Sequence, residues 1–169
     1  MNRQEIGELL THMEWADAES WRVVRALPAA QSDERVKWLM HHVHLVQSVY
    51  LQAWRGAPFQ LTELKSYPDL ASIESWARPF YPLAATFAAA VDESRFAEPI
   101  DFPWSAMIVE KFGKALPATL SESVWQVLSH STYHRGQLAV RIRELGGEPP
   151  LVDFLVWVWS GKPAPDWGS

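Results

Sequence analysis

Two histidines four residues apart, His130 and His134, carry the clearest chemical signal in this 169-residue sequence. Side chains at this spacing lie one above the other on the same face of an α-helix. The same face also carries Leu120, Val127, Leu138 and Leu145. We therefore expect both imidazoles to point into the core, where they can occupy adjacent positions around one metal ion. The alternative is two core histidines with separate hydrogen-bond partners, because the His-x-x-x-His motif is short.

A third histidine, His42, is predicted to lie in the apolar stripe of an earlier helix. Its neighbours within about 60° on the helical wheel are Trp38, Leu39, Val46, Val49 and Ala53. On the same wheel His44 points almost opposite and His41 lies to one side, which predicts that both are surface histidines. Three inward histidines are costly to bury without partners. A metal ion would supply one shared partner for His42, His130 and His134.

The ligand types favour one divalent ion with an open coordination position. The sequence has no cysteine, which excludes disulfides, thiolate ligands and a cysteine nucleophile, so any reacting thiol must come from outside the chain. Three imidazoles with an open fourth position are typical of a catalytic site. They suit zinc, nickel or ferrous iron. A two-metal carboxylate centre is disfavoured, because Val127 and Ser131 stand where its Glu-x-x-His pairs would need glutamate.

Four segments have the pattern of main helices, at residues 2–27, about 32–56, about 69–92 and 119–146. The first begins with a capping box formed by Asn2 and Glu5. The last begins with the capping box Thr119-Leu120-Ser121-Glu122 and ends at Gly146-Gly147. Pro79 and Pro82 predict a kink or a break in the third. The sequence thus predicts an all-α fold, a four-helix bundle with a kinked third helix.

The remaining segments give weaker patterns. Residues 96–117 contain three prolines and no sustained helical period, which predicts an extended connection with short strand pieces. Residues 151–159 are apolar on nearly every side, which predicts a short buried C-terminal helix, with a strand as the alternative. We find no internal repeat and no linker, so residues 1–169 are expected to form a single domain.

The histidine segment resembles the DinB/YfiT-like family. The matching runs are His130-Ser-Thr-Tyr-His134-Arg135-Gly136-Gln137-Leu138, Gly146-Gly147-Glu148-Pro149-Pro150, Trp54-Arg55-Gly56 after His42, and Trp15-Ala16-Asp17, where the family has Trp-Ala-Asn. The resemblance implies a four-helix bundle, often dimeric, with His42, His130 and His134 as metal ligands. Characterised relatives include thiol S-transferases that use bacillithiol or mycothiol, and a mycothiol-dependent isomerase. The resemblance therefore implies a metal-dependent enzyme of thiol S-transferase or hydrolase type. The alternative is a non-catalytic dimeric bundle with a structural metal.

Two charged residues are candidates for supporting roles. Asp17, on the inward face of the first helix, is predicted either to accept a hydrogen bond from a ligand histidine or to be satisfied by backbone groups. Arg141 is predicted either to bind a substrate carboxylate or to form a salt bridge within the bundle. Arg135 and Gln137 are expected to fix helix packing. Four tryptophans are candidates for an apolar cavity beside the metal, or for plain core or a dimer interface: Trp15, Trp38, Trp76 and Trp157.

The composition limits the classes of molecule that we expect this protein to bind. The net charge of −5 and the lack of a basic run disfavour nucleic-acid binding. No apolar stretch reaches membrane-spanning length, and the N-terminus lacks the apolar core of a signal peptide, so we expect a cytoplasmic protein without a membrane partner. The expected ligands are one divalent ion (zinc, nickel or iron), a small-molecule substrate and a low-molecular-weight thiol as co-substrate. A homodimer is expected from the family resemblance alone.

Overall fold

The chain forms an all-α fold whose two long inner helices carry the three histidines. The computed structural model describes residues 1–168. Its α-helices are α1 (Arg3–Ala26), α2 (Pro28–Gln31), α3 (Glu34–Trp54), α4 (Leu70–Ala77), α5 (Phe80–Ala90), α6 (Ser105–Phe112), α7 (Leu120–Glu144) and α8 (Phe154–Trp159). Two strands, β1 (Pro99–Ile100) and β2 (Ala118–Thr119), pair antiparallel. Short 3₁₀ helices occupy Leu64–Ser66 and Glu93–Ala97.

Both predicted capping boxes are present, and they fix where α1 and α7 begin. The Asn2 side chain accepts the Glu5 backbone N–H at 2.9 Å, and the Glu5 carboxylate accepts the Asn2 backbone N–H at 2.9 Å. Thr119 and Glu122 form the same reciprocal pair at the start of α7. These bonds satisfy amide groups that the first turn of a helix leaves without partners.

The core lies between the long helices, with α3 packed most extensively against α7, and α1 against α5. One apolar cluster includes Leu10, Trp54 and Val124, and a second includes Trp21 and Ile142. The indole of Trp54, which is fully buried, donates to the Ser123 hydroxyl at 2.8 Å, so α3 and α7 are joined by a polar bond within the apolar contact. This packing sets α3 and α7 side by side along the histidine segment.

The proline-containing segment for which one kinked or broken helix is predicted contains two helices, α4 and α5. Arg78 and Pro79 lie between them. Pro82 lies within the first turn of α5, where a backbone N–H would have no partner inside the helix. The proline is therefore tolerated there without breaking α5.

Two expectations for the later segments are wrong in part. The connection at 96–117 contains the predicted strand pieces, but it also contains α6, which was missed. None of the eight residues of α6 is buried. Its apolar residues Ile108, Val109 and Phe112 do recur at helical spacing, but the run is short and lies among prolines, so the pattern was overlooked. The short C-terminal helix is confirmed as α8, yet only Trp157 of its residues is buried, while Leu155 and Trp159 are exposed. Its apolar character therefore does not reflect burial on all sides.

No helix among the described residues is both long enough and apolar enough to cross a lipid bilayer.

Candidate metal centre

The three predicted ligand histidines converge where α3 packs against α7. His42 comes from α3, and His130 and His134 come from successive turns of α7. One ring nitrogen of each residue belongs to a set whose members all lie within 4.8 Å of one another. The Nε2 atoms of His130 and His134 are 3.1 Å apart. The spacing predicted from two separate helices is therefore realised as a single group of nitrogen donors.

Gln137 orients one of these imidazoles. The Nδ1 of His134 lies 2.9 Å from Oε1 of Gln137, one turn further along α7. A carboxamide oxygen can only accept, so His134 carries its proton on Nδ1 and presents the lone pair of Nε2 to the other histidines. This arrangement matches the outer partner that a metal-binding histidine usually has. Sequence reasoning gave Gln137 only a packing role, although its i, i+3 spacing from His134 contains the signal.

The site favours neutral imidazoles. Burial, with smaller contributions from the neighbouring His134 and His42, lowers the pKa of His130 to about 4. Burial also lowers the pKa of His42, again with a smaller contribution from His134. Both rings are therefore neutral at pH 7, which is the form that binds a metal ion. The Nδ1 atom of His130 is buried and has no hydrogen-bond partner among the described residues.

Two aromatic side chains flank the group at the surface. The Trp38 ring stacks on His42 with centroids 4.8 Å apart and an angle of 7°, and the Arg35 guanidinium lies 5.3 Å from the centroid of the Trp38 ring. Tyr133 meets His134 edge-on at 5.0 Å. Trp38 is 39% exposed and Tyr133 is 64% exposed, so the group lies near solvent. Within residues 1–168 no carboxylate belongs to the group.

The DinB family model matches residues 1–165, which is nearly the whole chain. The chain belongs to the DinB family. A search among curated proteins finds no match. The resemblance inferred from the His-x-x-x-His-Arg-Gly-Gln run is thus confirmed, and the family fits the all-α fold described above.

In this DinB-family protein, Asp17 does not contact the three histidines but lies at the centre of a separate buried network. Its Oδ1 accepts from Nη1 of Arg135 at 2.8 Å. Its Oδ2 accepts from Nε2 of Gln47 at 2.7 Å and from the hydroxyl of Tyr81 at 2.9 Å. The donors come from α3, α5 and α7, so one carboxylate of α1 joins all four long helices. These partners are side chains, and they are neither a ligand histidine nor backbone groups.

The same network extends to His44, and its donor directions are determined by chemistry. Nε1–H of Trp21 can only donate, so Nε2 of His44 accepts at 2.9 Å. The proton of His44 is then on Nδ1 and is donated to Oε1 of Gln47 at 2.8 Å. The amide nitrogen of Gln47 consequently faces Asp17 and the Ser131 hydroxyl. Each bond in this chain has one donor and one acceptor.

The expectation that His41 and His44 lie at the surface is wrong. They are 5% and 2% exposed, because α3 contacts α4 and α5 as well as α7, and so it buries more than one face. His41 packs against Tyr67 and Trp76, and its Nε2 has no partner among the described residues. The helical wheel placed these two side chains correctly relative to His42 but could not show what covers them.

The other sequence candidates lie apart from the three histidines. Arg141 is paired with Asp33, at 2.5 Å, and with Glu144, at 2.8 Å, so a substrate carboxylate would have to compete with both. Trp15 and Trp157 belong to a cluster around His12. Trp76 lies against His41, which leaves Trp38 as the one of the four tryptophan candidates with a ring contact to the histidine group.

Replacement of Asp17 by asparagine should destabilise the fold strongly. The change leaves the buried Arg135 without its counter-ion, and breaking a buried pair in this way typically costs about 3–5 kcal/mol. Urea denaturation followed by circular dichroism measures the loss. Asp101→Asn is a matched control, since Asp101 is exposed and has no ion pair among the described residues, and it should change stability by less than about 0.5 kcal/mol. Equal midpoints for the two variants would contradict the network's importance.

The metal-free protein should lose stability as the pH falls from about 6.5 to about 4. Burial is the first cause of a lowered pKa at His12, His41, His42, His44 and His130. In this pH window the unfolded chain binds more protons than the native chain, so acid favours unfolding. Carboxylates with a lowered pKa, such as Asp33 beside Arg141, contribute only at lower pH. Urea midpoints at pH 7 and pH 5 measure the effect, and equal midpoints would refute it.

Proposed function

We propose that this protein binds one divalent metal ion through His42, His130 and His134 and acts as a metal-dependent enzyme of thiol S-transferase or hydrolase type. The observation that carries the proposal is the convergence of three imidazole nitrogens from α3 and α7, one of them oriented by Gln137. Membership of the DinB family supports it. Zinc, nickel and iron all suit this donor set.

The residues present fit such an ion. Two nitrogen ligands at 2.0–2.1 Å from a tetrahedral ion are about 3.3 Å apart. The 3.1 Å separation of the His130 and His134 Nε2 atoms is close to that value. His42 needs only a small side-chain movement, because all three donors already lie within 4.8 Å. The lowered pKa of His42 and of His130 removes most of the proton competition at neutral pH.

An open coordination position distinguishes an enzyme from a structural metal site. Asp17, the carboxylate that sequence reasoning placed nearest, has its oxygens engaged by Arg135, Gln47 and Tyr81. No carboxylate of residues 1–168 belongs to the three-histidine group, which favours a fourth coordination position for an external ligand. A divalent ion there lowers the pKa of a bound water or thiol, or polarises a carbonyl.

The protein's own residues hold and shield the site. Gln137 keeps the Nε2 lone pair of His134 directed inward, and Trp38 covers one face of the His42 ring. Since the sequence has no cysteine, a transferase reaction requires a low-molecular-weight thiol as co-substrate. A small-molecule substrate, a homodimeric state and a cytoplasmic location stay predictions, as does the organisation of residues 1–169 as a single domain.

Untagged protein should bind about one divalent ion per chain. His42→Ala, His130→Ala and His134→Ala should each weaken zinc binding strongly, because each removes one of three donors. Equilibrium dialysis followed by elemental analysis measures stoichiometry and affinity. His12→Gln is the control, since His12 contacts Val152 and the Trp157 cluster instead of the group. Gln137→Ala should retain the site but lower affinity about 10- to 100-fold, whereas Gln126→Ala, exposed on the same helix, should not. Equal affinity in the His12 and His42 variants would refute the assignment.

The cobalt(II)-substituted protein should change its visible absorption when a thiol or azide is added. The spectrum responds to coordination number and donor type, so a change reports an open position. A structural site closed by a protein ligand should stay silent toward both. Silence toward both added ligands would favour the alternative, a non-catalytic bundle with a structural metal.

A further inference from the structure

A cleft of about 370 Å³ lies on the face of α7 opposite His130 and His134. Its walls come from α7, from α1 and from the segment that leads into α8. Its apolar lining includes Leu138, Ala139, Ile142, Leu151, Val152 and Phe154. The remaining lining is polar or charged and includes Ser20, Thr132, Arg135, Arg143 and Asp153. The volume falls in the range typical of small-molecule sites. No step proposed for the metal centre uses this cleft.

Gly136 opens the middle of the cleft. Glycine inside a helix is unfavourable, so a glycine in the middle of α7 needs a reason. Close packing is not that reason, because a Cβ built at Gly136 would meet no atom within 4 Å. The backbone is helical there and requires no positive φ. What the missing side chain provides is free space in the cleft, beside Arg135 and Ala139.

The two ends of the cleft differ in charge. Asp153 lies near His12, whose pKa it raises slightly against the larger effect of burial. Arg143 lies two turns beyond Gly136, about 10 Å along the helix axis. Within the described part of the chain Arg143 is exposed and forms no ion pair, whereas the charge of Arg135 is balanced by Asp17. The cleft thus offers one unbalanced cation at the end away from Asp153.

We propose that this cleft binds a small amphipathic anion, with a flat apolar body against Gly136, Ala139 and Val152 and a carboxylate at Arg143. A guanidinium matches a carboxylate in a two-pronged geometry and carries its charge at every relevant pH. The apolar middle of the cleft calls for an aromatic or branched aliphatic body.

The test uses two probes of equal shape, 1-naphthoate and its neutral counterpart 1-naphthamide. Titration of ¹⁵N-labelled full-length protein should give amide shift changes at Gly136, Ala139 and Val152 with naphthoate. Arg143→Gln should weaken naphthoate binding about 10- to 100-fold and leave naphthamide binding unchanged, because a charge-assisted bond is lost. Arg143 is exposed, so this variant should fold normally.

A pair of glycine variants tests the location. Gly136→Leu should fill the cleft and abolish binding. Gly7→Leu is the matched control, because Gly7 is also a helix glycine with open space around it, and it lines a different cleft of about 360 Å³ between α1 and α5. The Gly7 variant should bind naphthoate normally. Any of four results would overturn the proposal. These are shift changes around Gly7, equal affinity for the two probes, binding retained in both the Gly136 and Arg143 variants, and no binding of either probe.

Discussion

The buried ion pair between Asp17 and Arg135 is the constraint around which the bundle is organised. Two opposite charges removed from water are costly unless their remaining hydrogen-bonding capacity is used. Asp17 meets that condition by accepting from Gln47 and Tyr81 in addition to Arg135, and Arg135 also donates to the Thr132 hydroxyl. The three donors to Asp17 lie on three different helices, α3, α5 and α7, and Thr132 lies one turn before Arg135 on α7. A displacement of any one of these helices would leave a charge without its partners, so the ion pair selects one mutual arrangement of the helices.

The network and the metal centre share the helix α7. His134 faces α3 and the other candidate ligands, while Arg135, the next residue and about 100° further round the helix, reaches α1. Ser131 accepts from Gln47 one turn earlier, between the two directions. The orientation of α7 about its own axis is therefore fixed from the core side by bonds that do not involve the candidate metal ligands. The residues that hold α7 in place, Ser131 and Arg135, are thus different from the candidate ligands His130 and His134.

Local patterns in the sequence were sufficient for the candidate site and for the starts of α1 and α7. His42, His130 and His134 could be grouped because each lies on an apolar stripe, and Asn2 and Thr119 because a capping box involves only neighbours in the sequence. Contacts between distant segments were not predictable in this way. The burial of His44 depends on α4 and α5 covering the far side of α3, and the partners of Asp17 depend on how three other helices are placed. The helix α6 has apolar residues at helical spacing, but it is only eight residues long and lies in a proline-containing segment, which hid its period.

The two exposed aromatic side chains beside the histidine group are held differently. The Trp38 ring contacts both the His42 ring and the Arg35 guanidinium. Tyr133, by contrast, meets the His134 ring edge-on and is largely exposed. A substitution of Tyr133 would therefore change the surface beside the candidate site without removing any of its three nitrogen donors.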